Sequence, residues 1–178
     1  MSLLDSNDSN QSTQEQVQSG VDKNQAVIDY ICQCNTIKNS PLYFNFINVE
    51  DDTNQFVTQS SERYASKRYV DGSVLKIYSF TIIAYKSTAD IAVVKASGYP
   101  NENIADMSDM QALIDWIVEQ NELNNYPNFG EDCLIDEIST TTENPNFDGV
   151  NDEVSPPLAI YSITIEITYL DTSKKIWR

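Results

Sequence analysis

Histidine is absent from this chain of 178 residues. That removes the commonest general base and the commonest transition-metal ligand at once. Glycine is scarce: the five present have no spacing that would make a phosphate-cradling loop. The three cysteines, Cys32, Cys34 and Cys133, form an odd set without paired spacing, which argues against a disulfide framework and suits a reducing compartment. On a helix, Cys32 and Cys34 would point about 200° apart, so they do not read as two ligands of one ion. No run of about eighteen apolar residues is available for a membrane span. The opening "MSLLDSNDSNQSTQEQ" lacks the charged and apolar regions of a secretory signal, and the expectation is a soluble, non-secreted protein.

Basic residues are also few. The chain has 11 Lys and Arg against 27 Asp and Glu, a formal charge of −16. Most of the excess falls in one stretch: residues 87–157 carry 15 acids and a single base, Lys95, whereas residues 1–86 carry 10 acids and 7 bases. Such a field repels phosphate backbones and excludes nucleic-acid binding through basic patches.

The remaining 40% of hydrophobic residues suffice for one core, so one domain is expected. Residues 1–20 are rich in Ser, Asn, Gln and Asp and cannot repay the entropy of ordering, which predicts a disordered tail ahead of a single domain over 21–178. Val21, Ile28 and Ile31, with Val27, Cys34 and Ile37, recur at helical spacing up to Pro41. "LYFNFIN" (42–48) reads as a strand and "EDDTNQ" (50–55) as a turn. In 62–86, Asp71-Gly72 between two runs of strand formers predicts a two-residue hairpin turn, and the apolar second arm predicts a central strand. A helix is expected from Asp106, with Met107, Met110, Leu113, Ile114, Trp116, Ile117 and Leu123 on its apolar face and its end before Tyr126-Pro127. "DCLIDEIS" (132–139) reads as a short strand. In "AIYSITIEITYL" (159–170), Ala159, Tyr161, Ile163, Ile165, Ile167 and Tyr169 alternate with polar residues, as in a sheet with one wet side. The fold class is therefore α+β, in the order α-β-β-β-α-β-β, with a mainly antiparallel sheet of about five strands and two helices on one face.

Between the last two strands, "TTTENPNFDGVNDEVSPP" (140–157) has no basic residue and reads as part of a long acidic loop over 139–157. Aligned to a calcium-binding loop, Asn144, Asn146, Asp148 and Gly149 take the first, third, fifth and sixth positions, but Ser155 stands where a bidentate Glu is required. Asp132, Asp136 and Glu137 form a carboxylate cluster without a glycosidase framework around it. No Ser, Cys or Lys nucleophile has a histidine to activate it. The expectation is a protein that is no enzyme and carries no cofactor or metal. Its ten tyrosines, long loop and lopsided charge point to contact with other proteins.

The helix "MQALIDWIVEQNELNNYPNFG" (110–130), the following "CLIDEI" (133–138) and the closing "YSITIEITYL" (161–170) resemble the minor capsid or tail-terminator proteins of long-tailed phages and prophages of Gram-positive bacteria. The resemblance covers residues 21–170 in element order and the quoted stretches in residue pattern; the segment 139–157 does not map onto the family. It implies a structural subunit that closes into a ring, typically a hexamer, on the tail tube and joins the head connector, in the virion or in the host cytoplasm during assembly. It carries over no catalytic residue, no membrane contact and no sequence-specific nucleic-acid contact. Within that frame, Glu143, Asp148, Asp152 and Glu153 are candidate channel-lining or partner-contact residues, since an acidic lumen repels DNA. Two other readings fit the charge: an acidic decoy that mimics DNA, and an adaptor whose loop binds a partner protein.

Overall fold

A computed structural model of the chain describes residues 22–38, 42–44, 53–58, 67–87, 102–155 and 157–176. The expected tail (1–20), Val21, Pro41, the rest of the first strand (45–48) and the outer part of the first hairpin arm (62–66) lie outside those residues. The elements are α1 (Lys23–Ile31), α2 (Asn35–Lys38), β1 (Leu42–Phe44), β2 (Thr53–Thr58), β3 (Val74–Ser87), α3 (Glu102–Glu122), β4 (Cys133–Thr140), β5 (Asn146–Asn151) and β6 (Leu158–Asp171). The strands form one sheet in the order β1-β2-β3-β6-β4, with β5 also paired to β6. Every pairing is antiparallel except β1 with β2.

The sheet is organised around β6, whose alternation fixes which face is buried. Ala159, Tyr161, Ile163, Ile165, Ile167 and Tyr169 are each at most 3% exposed. They lie beside Ala84, Ile82, Phe80 and Tyr78 of β3, register partners Tyr161, Ile163, Ile165 and Ile167 in turn. The helices cover this one face, through Val27, Tyr30 and Ile31 of α1 and Met110, Leu113, Ile114 and Ile117 of α3. Phe129 joins the layers edge-on, with its ring 5.6 Å from Tyr78 and 5.3 Å from Tyr169. The α+β class and the one-sided helical layer are thus as the sequence implies.

Several boundaries differ from expectation, each for a local reason. Asp22 caps α1 by accepting the Asn24 N–H at 2.9 Å. The chain then tightens into i→i+3 bonds, Gln33 N–H to Tyr30 O and Cys34 N–H to Ile31 O, so the expected single helix becomes α1 and a one-turn α2. Both pieces keep their apolar side inward, with Cys34 and Ile37 buried. Part of "EDDTNQ" is not a turn: Thr53–Thr58 forms β2, which occupies the side of β3 that β6 leaves open. Helix α3 begins at Glu102, four residues before the expected Asp106. It ends in a Schellman motif in which Asn124, at φ 53°, takes the left-handed position and the Asn125 N–H reaches the Gln120 carbonyl at 2.9 Å.

The Asp71-Gly72 hairpin forms, but with a three-residue loop: the Tyr69 N–H bonds to the Ser73 carbonyl across Val70, Asp71 and Gly72. Gly72 sits at φ 90°, and a Cβ there would run into the Lys174 carbonyl. The Asp71 carboxylate accepts the Ser73 hydroxyl at 2.6 Å and its N–H at 3.1 Å, while the Asp71 carbonyl receives the Ile176 N–H at 2.7 Å. The C-terminal segment is thereby tied to the first hairpin.

The largest correction concerns the segment 139–157. Asn146–Asn151 forms β5, antiparallel to Leu158–Ser162 of β6. Since β4 pairs with the other half of β6, residues 133–151 run as one interrupted strand along a single edge before the chain returns as β6. The long acidic loop is therefore a β-hairpin with a bulged connection.

Candidate interaction edge

The outer border of β6 is built from two halves of unequal finish. Thr140 is the last β4 partner, opposite Ile165, and Asn146 is the first β5 partner, opposite Ser162. The five residues 141–145 therefore stand opposite only two, and they arch outward, held by the Thr141 N–H bond to the Thr164 carbonyl at 2.9 Å. Each half carries its own bulge, at Asp136 in β4 and at Asp148 in β5. Bulges of this kind bend an edge and unmatch part of its ladder.

The β4 half is covered from within the chain around Ile138, although Leu134 near its start is 59% exposed. The Asn121 side-chain oxygen, on the last turn of α3, accepts the Ile138 N–H at 3.1 Å and the Tyr126 hydroxyl at 3.0 Å. Ile138 beneath it is 2% exposed. The β5 half has no such cover among the described residues. Phe147 is 59% exposed and Val150 51% exposed, although the Phe147 ring leans on Tyr161 at 5.6 Å. Gly149 is at φ 136°, with open space where a Cβ would stand.

All four acidic residues singled out by sequence lie on this hairpin, and all four are exposed. Glu143 is in the arched connection, where its carbonyl accepts the Gln111 side-chain amide at 3.3 Å. Asp148 is the extra residue of the β5 bulge. It reinforces the effect of burial in pushing the Tyr85 phenol pKa up, so it lies beside the sheet face opposite the helices. Asp152 and Glu153 form the turn, with the Glu153 N–H bonded to the Asn151 side chain at 3.1 Å. Glu143 in the arch, Asp148 on the strand and Asp152 in the turn are four or five residues apart along the border, so they line an edge and do not converge on one point. Asn146 and Asp148 of the calcium alignment stand on a strand, and no three Cys, Asp or Glu among the described residues gather in metal-binding geometry. Among the described residues, no helix is long and apolar enough to cross a membrane.

The opposite end of β6 has a different charge. Lys67, Arg68, Lys76, Lys174 and Lys175 gather around the first hairpin turn and the C-terminal segment, with Glu131 and Asp132 on the β4 side. Lys76 pairs with Asp171 at 2.7 Å and Lys175 with Asp71 at 3.5 Å. Burial disfavours the Asp171 anion, but Lys76 and the Ser173 hydroxyl and N–H outweigh it and hold its pKa down to about 2. Arg68 and Lys174 line a cleft of about 280 Å³ with Gly72 and Lys76, and have no carboxylate within 4.0 Å among the described residues. Tyr69, Val70 and Ile176 expose apolar surface nearby.

Sequence reasoning identified the acidic residues but missed that a strand carries them. Phe147 and Val150 were the available signal, on either side of an Asp-Gly pair read only as loop positions of a calcium-binding alignment. The chain matches no family model and no curated protein.

Proposed function

We propose that this chain is a non-enzymatic structural subunit that associates with copies of itself, the acidic β5–β6 hairpin of one copy meeting the Arg68–Lys174 end of the next. The observation that carries the reading is the β5 edge, uncovered among the described residues, where Phe147 and Val150 are exposed on the border of the sheet. Charge complementarity selects the partner. Asp148, Asp152 and Glu153 stand toward one end of β6, with Glu143 near its middle, and Arg68 and Lys174, without a carboxylate partner among the described residues, stand at the other end, up to about 45 Å away for a 14-residue strand. A contact between unlike patches is head-to-tail, and such contacts close into rings when the rotation allows. This fits the tail-terminator resemblance: a ring, taken as a hexamer, that caps a phage tail tube and meets the head connector. In this reading Glu143, Asp148, Asp152 and Glu153 are partner contacts, and the protein works in the virion or in the host cytoplasm during assembly.

The acidic-decoy reading draws less support. Apart from the adjacent Asp152 and Glu153, the hairpin carboxylates are four or five residues apart, far sparser than the charges of duplex DNA, with one per about 1.7 Å of axis.

Absolute mass by light scattering, across protein and salt concentration, tests the proposal. Raising salt toward about 0.15 M screens the long-range repulsion between subunits of charge −16 but leaves close ion pairs in place; near 1 M those pairs weaken too. A closed oligomer of about six copies that is most populated at intermediate salt, and that attaches to tail-tube ends in electron micrographs, is the expected result. A monomer under every condition that also ignores tube ends overturns it.

A further inference from the structure

Two clefts of opposite character flank the first hairpin turn. One is the cationic cleft of Arg68 and Lys174. The other, of about 410 Å³, is open to solvent and mainly apolar, with Tyr69, Val70 and Leu170 on its wall. Val70 is fully exposed and Tyr69 is 39% exposed. Leu170 follows the buried Tyr169, so strand alternation turns it to the face opposite the helices. There it stands between its register partners, Leu75 of β3 and Leu134 of β4, and the three leucines make one row across adjacent strands. An exposed apolar row that runs into an apolar cleft marks a contact surface.

Charge sets how a partner lies on that surface. The Lys67 ammonium is 5.5 Å from the centre of the Tyr69 ring, and no carboxylate lies within 4.0 Å of it among the described residues. Asp71, also on the wall, has its carboxylate bonded to the Ser73 hydroxyl and N–H and faces Lys175 at 3.5 Å. Glu131 and Asp132 precede β4 on the Leu134 side. The rim is thus positive beside Tyr69 and negative beside Leu134. An occupant that fits has an aromatic side chain for the cleft and a carboxylate next to it, directed toward Lys67. Phe147 and Asp148 are such a pair, adjacent on the bulged β5 edge. The Phe147 ring leans on Tyr161 yet remains 59% exposed, so much of it is free to enter a partner.

We propose that Phe147 of one copy seats in the cleft of Tyr69, Val70 and Leu170 of the next, with its Asp148 beside the neighbour's Lys67. The inference rests on the head-to-tail reading and adds the receiving surface to it. Ion pairs bring the two ends together, and the seated ring supplies the central apolar burial on which interface affinity mostly depends. To test it, Phe147 is replaced by the photo-crosslinker p-benzoylphenylalanine in the full chain. That chain is mixed with isotopically labelled unaltered chain under the salt conditions that favour oligomers, irradiated and digested for mass spectrometry. Crosslinks should join position 147 to labelled peptides that contain Tyr69 and Val70 or Leu170. The same analogue placed at Val70 should capture labelled peptides that contain Phe147, and it decides the matter if the bulkier ring at 147 blocks assembly. Val70→Asp should weaken association at least about 10-fold by opposing Asp148 and removing apolar wall. Val118→Asp, at a comparably exposed position on α3, should leave association unchanged. A chain that stays monomeric at every salt concentration overturns the head-to-tail reading and this inference with it. Oligomers whose crosslinks fall on other residues, or only within one copy, overturn this inference and leave the head-to-tail reading standing, as does association that Val70→Asp leaves unchanged.

Discussion

The two halves of the β6 border differ in what finishes them. Both are bulged, both are antiparallel to the same strand, and both carry acids. Yet β4 has the end of α3 seated against its Ile138 end, with Asn121 and Tyr126 taking up polar groups there and Leu134 exposed at its start, whereas β5 has no such cover among the described residues and displays Phe147 and Val150. An edge closed from within is part of the folded unit; one left open presents unpaired backbone groups to further pairing. The sharpest way to break this contrast is a matched pair of truncations. Ile138→Ala in the covered half should cost about 2–4 kcal/mol in chemical denaturation, from lost burial and the cavity left behind. Val150→Ala in the open half should stay within about 0.5 kcal/mol. Equal losses would mean that both halves belong to one closed core.

The cover itself can be removed next. Asn121→Ala takes away the acceptor of the Ile138 N–H and of the Tyr126 hydroxyl together. The expected loss is about 1–2 kcal/mol, and hydrogen exchange at Ile138 should accelerate while β5 amides stay as they were.

Acid sharpens the comparison from the far end of the hairpin, where Asp171 pairs in register with Cys133 of β4 and Val74 of β3. Its folded-state pKa is about 2, below the ordinary 3.8, so its stabilising contribution is complete above about pH 4 and disappears as pH falls toward 2. Asp171→Asn should remove that part of the acid transition. At neutral pH it should cost about 1 kcal/mol, a figure reduced for the solvent that reaches this pair. An acid unfolding curve identical to that of the unaltered chain would show that Lys76 gains nothing from its partner.

How much of this was legible in the sequence follows from where the physics is local. The period-two alternation of β6 marked its core face correctly, because a strand buried on one side has no other register that keeps Ile163, Ile165 and Ile167 inside. The helical face of α3 was legible in Met110, Leu113, Ile114 and Ile117, while Leu123, at 65% exposure, lies past the last turn and contributes nothing to it. Strand β5 was hidden because Asp148-Gly149 carries the same turn chemistry as Asp71-Gly72. Only pairing with Tyr161 and Ile160 converts the second instance into a bulge. Strand β2 was hidden likewise, since its partners on β3 lie more than twenty residues away. The acidic residues were found through composition, and their alignment along one edge came from tertiary pairing.

The smallest effect on the monomer should accompany the largest effect on assembly. Val150→Lys adds charge to an exposed edge, and Phe147→Lys does so while giving up the ring contact with Tyr161; lysine on an edge strand is a common guard against further pairing. Stability should fall by no more than about 0.5 kcal/mol for Val150→Lys and by about 1 kcal/mol for Phe147→Lys, from the lost ring contact with Tyr161. If copies meet through β5, the same variants should run as monomers at concentrations where the unaltered chain associates, and Arg68→Glu should do so too by reversing the complementary end. Combining Arg68→Glu with Asp152→Lys and Glu153→Lys then restores opposite signs and should recover part of the association. Recovery would tie the two ends to one another, because independent damage at two surfaces does not cancel. Oligomers that survive every single variant would mean that the open edge serves a different partner.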